Sequence, residues 1–207
     1  MRDAPVLEGA VVRLEPLARD HLDGLIAAGL DPELWRFTAS EVRSPDEMRM
    51  YVEQALAERE AGTSLPFATV HRTTGTVIGS TRFGNIAADH RRCEIGWTWI
   101  SRPWQRSAVN TEAKYLMLRH AFEQWQCIRV ELKTSARNER SRRAILRIGA
   151  TEEGTLRQHM INADGSVRDT VYFSILDREW PAVKARLESM LAGSGNRGSG
   201  AVPPAFR

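Results

Sequence analysis

Three groups of residues in this chain are of types and spacings that could do chemistry. The first is RPWQRSAVNTEAKYLMLRHAF, residues 102–122, where basic and small residues run into an amphipathic helix. The first four amides of any helix lack internal partners and point out at the positive end of its dipole, so they can hold a phosphate. Phosphate loops are commonly glycine-rich, because backbone must approach the anion closely. Gln105, Arg106, Ser107, Ala108, Val109, Asn110 and Thr111 include no glycine. Ser107 and Ala108 are small, Asn110 tolerates unusual φ, and Arg106 adds charge. Asn110 or Thr111 is the expected N-cap. An ordinary capped surface helix remains open on these residues alone. The second group is the carboxylates Glu94, Glu112 and Glu153, of the type that serves as a general base. Glu94 could act through one water or pair with Arg82, Arg91 or Arg92. Glu112, at a helix start, is better explained by the dipole. Glu153 is a weaker base candidate. The third group is Asn138 and Ser141 among Arg137, Arg140, Arg142, Arg143 and Arg147. The Ser141 hydroxyl could donate a proton or bond the first helical turn. The arginines could meet an anion or form a solvated face.

The elements that must position these groups follow from periodicity. Val11–Leu17 reads as a first strand, and Asp20 as the cap of a short helix through Leu30. Ser44 or Asp46 opens a second helix, Met48–Glu60, ended by Gly62. PFATVH and TVIGSTRF form a hairpin around the RTTG turn. In CEIGWTWI, Cys93, Ile95, Trp97 and Trp99 alternate with Glu94, Gly96, Thr98 and Ile100, which predicts a strand with Glu94 opposite the tryptophans. The stripe Ala113, Leu116, Met117, Ala121 and Phe122 predicts the helix after the candidate loop. Ile128–Thr134 is a strand, Asn138–Ile148 a helix ended by Gly149. ADG at 163–165 joins strands Glu153–Asn162 and Val167–Asp177, with Val167, Val171, Phe173 and Ile175 on one face. Glu179–Leu191 is a last helix with Pro181 in its first turn. The order is an α/β layout around a mixed sheet.

Composition narrows the class. The chain has 207 residues, 42% hydrophobic and 27% charged, with net charge +3. That is a soluble globular composition, able to bury roughly 70% of its unfolded surface. Cys93 and Cys127 are the only cysteines and have no paired-ligand spacing, which suits a reducing, cytoplasmic setting. No apolar run is long enough for a signal peptide or a membrane span. His21, His71, His90, His120 and His159 show no metal spacing, so no metal is expected. Residues 1–191 read as one domain. Residues 192–207, AGSGNRGSGAVPPAFR, read as a disordered tail.

The strand EIGWTWI, the loop WQRSAVN, the helix TEAKYLMLRHAF, the strand IRVELKT and NERSRRAILRIGA together resemble the GNAT acetyltransferase family, and within it the RimJ/RimL branch. NTEA, Asn138 and Ser141 followed by Gly149, EEG…R from Glu152 to Arg157, and DTVYFSILDREW also look like that branch. The likeness covers about residues 6–190. The family's phosphate loop, Q/R-x-x-G-x-G/A, aligns with Gln105–Asn110, and both glycine positions are filled by other residues.

The resemblance implies a central mixed, splayed, mostly antiparallel sheet flanked by helices. It implies acetyl-CoA as co-substrate, its pantetheine arm lying between strands Glu94–Ile100 and Ile128–Thr134. Trp99 and Ile100 would offer backbone groups to the arm, the amides of Arg106–Thr111 would hold the pyrophosphate, and Asn138 would reach the arm. Glu94 would be the base. The tyrosine many members use as acid is replaced by Ile145, leaving Ser141 as the available hydroxyl. The partner is an amine acceptor, a protein N-terminus or a small molecule such as an antibiotic or metabolite. A CoA-binding or protein-interaction module without turnover is the alternative, a homodimer stays open, and no membrane is implied. A basic RNA-binding domain would want an organised stripe or stacking aromatics, and neither is visible. His159 and Trp35 are further acceptor-groove candidates, with surface and core readings beside them.

Overall fold

The computed structural model describes residues 5–195. The elements are β1 (Leu7–Glu8), β2 (Val12–Pro16), α1 (Leu22–Gly29), α2 (Pro45–Glu60), β3 (Leu65–His71), β4 (Val77–Ala87), β5 (Arg92–Ile100), α3 (Val109–Arg119), β6 (Arg129–Ser135), α4 (Glu139–Arg147), β7 (Thr151–Ile161), β8 (Val167–Leu176) and α5 (Trp180–Gly195). The strands form one sheet in the order β1-β2-β3-β4-β5-β6-β8-β7. Every neighbouring pair is antiparallel except β5 and β6. The expected mixed, mostly antiparallel sheet is therefore present. Helix α5 continues through Gly195, four residues beyond the predicted Leu191, and the predicted tail from residue 196 lies outside the described residues.

The sheet separates two apolar cores. On one face Phe67, Phe83, Ile95 and Val130 pack with Leu116, Met117 and Leu118 of α3 and with Leu187 of α5. On the other, Ala68, Val70 and Trp99 pack with Leu25 of α1, Val52 of α2 and Trp35 of the intervening loop. Alternation along β3 explains how one strand feeds both cores.

Two predicted caps are corrected. Asp20 lies inside a 3-10 turn, Arg19–His21, and α1 begins after His21 without a side-chain cap. Ala108, not Asn110 or Thr111, is the N-cap of α3, so Asn110 and Thr111 are helical residues of its first turn. Of the two options for the second helix, Ser44 is the cap, and Asn138, read as the first residue of its helix, proves to be the cap of α4. Ser44 Oγ accepts from the Glu47 amide at 3.2 Å, and Asn138 Oδ1 accepts from the Ser141 amide at 3.0 Å.

Trp97 overturns the alternation expected along β5. It has φ of +50°, and the pairing with β4 slips between Arg82↔Gly96 and Ser80↔Trp99. This bulge inserts one residue and exchanges the faces beyond it. Cys93, Ile95 and Ile100 thus share the α3 face, while Trp99 joins the α1–α2 core. Lys133 pairs with Glu94 and lies over the Trp97 ring, which puts Glu94 on the same face as the tryptophans. Cys93 and Cys127, far apart in sequence, approach to 4.0 Å between sulfurs as free thiols.

Glu112 has a structural role, but the dipole is not its main partner. It is buried, and its carboxylate accepts from the amides of Ala10, Val11 and Val12 at 2.8, 2.7 and 2.7 Å. It thereby ties α3 to the β1–β2 turn. Glu112→Ala leaves three amides unpaired, each worth about 1–3 kcal/mol when buried. We expect urea unfolding to show a loss of about 3 kcal/mol or more; a loss under about 1 kcal/mol would mean that water takes over these bonds.

Candidate active site

β5 and β6 pair in parallel over only three positions, Arg92↔Arg129, Cys93↔Val130 and Glu94↔Glu131. Beyond Glu94 and Glu131 the strands separate, while β5 stays bonded to β4 and β6 to β8. The Ser101 amide bonds Ile78 of the β4 side at 2.9 Å, and the Ala136 amide bonds Asp169 of the β8 side at 2.9 Å. Alternation then turns the backbone groups of Thr98 and Ile100 on one lip, and of Lys133 on the other, into the gap. Trp99 by the same rule spends its backbone on β4. Of the predicted pair, Ile100 alone faces the gap.

The loop between β5 and α3 closes one end of that gap. Arg102 pairs with Asp31 at 2.8 Å, and the Trp104 ring lies 4.2 Å from His71. Gln105 donates from Nε2 to the Ile100 carbonyl at 2.7 Å and accepts at Oε1 from Arg140 of α4 at 2.8 Å. Ser107 Oγ donates to the Trp104 carbonyl at 2.6 Å and accepts from the Val109 amide at 3.3 Å. Arg147 donates to Thr111 Oγ1 at 2.9 Å. A cavity of about 350 Å³ lies between Leu34, Phe37, Gln105 and Asn138. Of the predicted residues, Gln105 and Asn138 line this cavity, and Gln105 links it to the Ile100 carbonyl.

The lack of glycine has a local explanation. Ala108, at the first glycine position, has φ of −68° and ψ of −16°, and Asn110, at the second, is helical. Neither conformation needs glycine. The left-handed residue of the loop is Arg106, with φ of +60°. The amides of Asn110 and Thr111 have no intrahelical carbonyl to bond, as at any helix start of the kind that can hold an anion.

Glu94 is 2% exposed at the point where the strands part. Its partners are not the arginines expected. Oε2 accepts from Asn85 Nδ2 at 2.6 Å and lies 3.0 Å from Lys133 Nζ. Asn85, Lys133 and Trp97 carry no signal in the sequence because their roles depend on the bulge and on strand pairing. Glu153 is held elsewhere: Arg129 bonds it through two nitrogens, Ser174 Oγ donates to it at 2.8 Å, and the guanidinium brings its carboxyl down to about 2. His159 is exposed and meets Tyr172 edge-on at 5.7 Å. Trp35 is buried against Tyr51 and Trp99 and donates to the Gly29 carbonyl at 2.7 Å, which makes it a core residue. Among the described residues no group of three or more His, Cys, Asp or Glu side chains could hold a metal ion. None of the described helices is long and apolar enough to cross a membrane.

On the α3 face a further residue escapes a sequence reading. Lys114 looks like the polar side of an amphipathic helix, yet it is buried. Its Nζ donates to Thr98 Oγ1 at 2.7 Å, and Thr98 Oγ1 lies 2.7 Å from Thr81 Oγ1. Burial lowers the ammonium to about 7.

Comparison with known proteins agrees with this architecture. Residues 12–151 match the family described as acetyltransferase (GNAT) domain. The "Putative ribosomal N-acetyltransferase YdaF" of Bacillus subtilis (strain 168) is 34% identical over 110 residues, which are 53% of this chain and 59% of that protein. This chain therefore matches less than two thirds of that relative's length. The crystal structure of a "putative acetyltransferase" from T. thermophilus is 39% identical, covers 91% of this chain and 98% of its own, and superposes with a TM-score of 0.84. Mycobacterium smegmatis RimJ in complex with CoA-disulfide is 25% identical, covers 91% and 92% of the two chains, and gives a TM-score of 0.75.

Lys114 supplies a pH test of the site's buried chemistry. Between pH 7 and 10.5 the unfolded chain binds a proton at this lysine that the folded chain does not. Its contribution to stability therefore falls as pH drops through that window and stays low below it. Lys114→Met removes the cost. Urea unfolding should show the variant gaining on the wild type by a few kcal/mol more at pH 7 than at pH 10. An equal difference at both pH values would show an ammonium that remains hydrated.

Proposed function

The chain belongs to the GNAT acetyltransferase family, in its RimJ/RimL-type branch, and on that premise we propose that it moves the acetyl group of acetyl-CoA to a primary amine, with a protein or peptide N-terminus first. The observation that carries this reading is the gap opened between β5 and β6 beyond Glu94 and Glu131, at one end of which lie Gln105 and Asn138. A thioester arm laid in the gap would meet backbone groups of Ile100 and Lys133. Its pyrophosphate would meet the amides that start α3, with Gln105–Thr111 around it, and Asn138 would bond the arm. Glu94, directly or through a water, receives the proton of the attacking amine. The amine nitrogen forms a bond to the acetyl carbon, the carbon–sulfur bond breaks, and the thiolate takes a proton from Ser141 or from water.

The choice of amine rests on pKa arithmetic. At pH 7.5 roughly a quarter to two fifths of peptide α-amines are neutral, against about one lysine side chain in a thousand. Glu94 already holds Lys133 and Asn85, and no tyrosine stands at position 145. Such equipment suits an amine that is partly neutral before it binds. The "ribosomal" in the name of the Bacillus subtilis relative points the same way.

Two measurements test the reading. Ala108→Glu places bulk and negative charge at the start of α3, and its Kd for acetyl-CoA should rise at least about tenfold with the fold intact. An unchanged Kd would remove the loop from the site. In competition on matched peptides, followed by mass mapping, the acetyl group should appear on free N-termini. Acetylation confined to lysine side chains would overturn the N-terminal assignment.

A further inference from the structure

Four buried polar side-chain atoms on the α1–α2 face of the sheet lack a hydrogen-bond partner: Arg82 Nε, Trp99 Nε1, Arg168 Nε and Thr170 Oγ1. All four carry a hydrogen to donate. They make up most of the six such atoms among the described residues, so this face is short of acceptors. It is also short of negative charge. Arg82 on β4, 3% exposed, bonds Glu58 at 2.8 Å and lies 5.2 Å from the Tyr51 ring and 5.1 Å from the Trp97 ring. Lys133 on β6 pairs with Glu94 and lies 5.7 Å from the Trp97 ring and 5.8 Å from the Tyr172 ring. Arg168 on β8, 7% exposed, pairs with no carboxylate among the described residues, and its side chain makes one long hydrogen bond, 3.4 Å to the Phe37 carbonyl. Two carboxylates thus answer three cations.

Folding alone does not account for this. An apolar side chain would fill the place of Arg168 without the cost of a desolvated, unmatched guanidinium. Burial works against its charge, while Glu94 and Tyr172 favour it. Trp97, 37% exposed, marks where the cluster opens to solvent. Trp97 and Lys133 stand on the two lips of the gap between β5 and β6. A molecule bound against them lies beside Glu94.

We propose that Arg168, with Arg82 and Lys133, forms a subsite for one carboxylate carried by the amine acceptor. The inference rests on the acetyl-transfer reading, since it takes the Glu94 face as the acceptor side. One unmatched positive charge fits a monoanion, and a guanidinium fork fits the two oxygens of a carboxylate. The same excess charge disfavours polycationic amines. A carboxylate close to a primary amine occurs in two kinds of acceptor: a peptide whose first residue is acidic, and a free amino acid.

The test compares kcat/KM for amidated peptides beginning with Glu or Gln, and for alanine against alaninamide. The wild type should prefer the carboxylate member of one pair by at least about tenfold, the worth of one charge-assisted bond. Arg168→Gln should abolish that preference through the acceptor KM, with KM for acetyl-CoA unchanged, and Arg168→Lys should keep part of it. Equal use of both members in both pairs overturns the subsite and leaves acetyl transfer standing. If no amine is acetylated, calorimetry with the acetylated Glu and Gln peptides and CoA-loaded protein reads the same site. Tighter binding of the Glu product, lost in Arg168→Gln, supports the subsite; equal binding overturns it.

Discussion

The parallel ladder between β5 and β6 stops after three residue pairs, and the candidate site follows from that stop. A strand that loses its neighbour leaves amides and carbonyls that must find partners. Gln105 takes the Ile100 carbonyl, and the Asn138 amide takes the Ser135 carbonyl at 2.9 Å. The residues that follow the two lips therefore close the gap's end, and they belong to the loop before α3 and the start of α4. The bulge at Trp97 contributes from within. It turns an indole toward the face where Arg82 and Lys133 stand, and places those cations on both sides of it. Bulk and charge occupy the positions where flat pairing would otherwise continue.

The two faces of the sheet treat buried charge differently. On the α3 face Lys114 bonds a chain of hydroxyls and has its acidity shifted to about 7, so burial is met by losing the charge. Arginine has no such escape. On the opposite face Arg82 and Arg168 keep their charge and are compensated only in part, by Glu58 and by π faces. Apolar packing in place of a buried ion pair is often no less stable, so stability alone does not explain a desolvated guanidinium without a carboxylate. The asymmetry fits a division in which one face supports the sheet and the other meets a polar molecule.

Local pattern makes much of this legible. The helix stripe Ala113, Leu116 and Met117, the ADG hairpin and the cap Ser44 all lie where periodicity and cap chemistry put them. The failure that matters most for the site comes from a single inserted residue. Strict alternation in CEIGWTWI assigns Glu94 to the face opposite Trp97, and the bulge reverses that assignment. No local signal in the sequence announces a left-handed tryptophan. The partners of Glu94 are out of reach for a related reason, since Asn85 and Lys133 come from other strands. Glu112 is recognisable as structural from its place near a helix start, but its recipients are about a hundred residues away.

The glycine-free loop departs from the family pattern in its letters, and the start of α3 still leaves amides without intrahelical partners. A phosphate-holding helix start needs free amides, a close backbone approach and a turn that delivers the chain. In the family pattern glycines occupy two of these positions. Here the left-handed residue is Arg106, and Ala108 and Asn110 have ordinary helical angles. Strain is then carried by one residue, and tethers offset it: Gln105 is fixed at both ends, to the Ile100 carbonyl and to Arg140, and Ser107 bonds both the Trp104 carbonyl and the Val109 amide. A glycine would have given this loop freedom. Side-chain bonds give it a fixed course, which would lower the ordering cost of receiving an anion. Ser107 and Ala108, both small, stand at the entry to the first turn of α3.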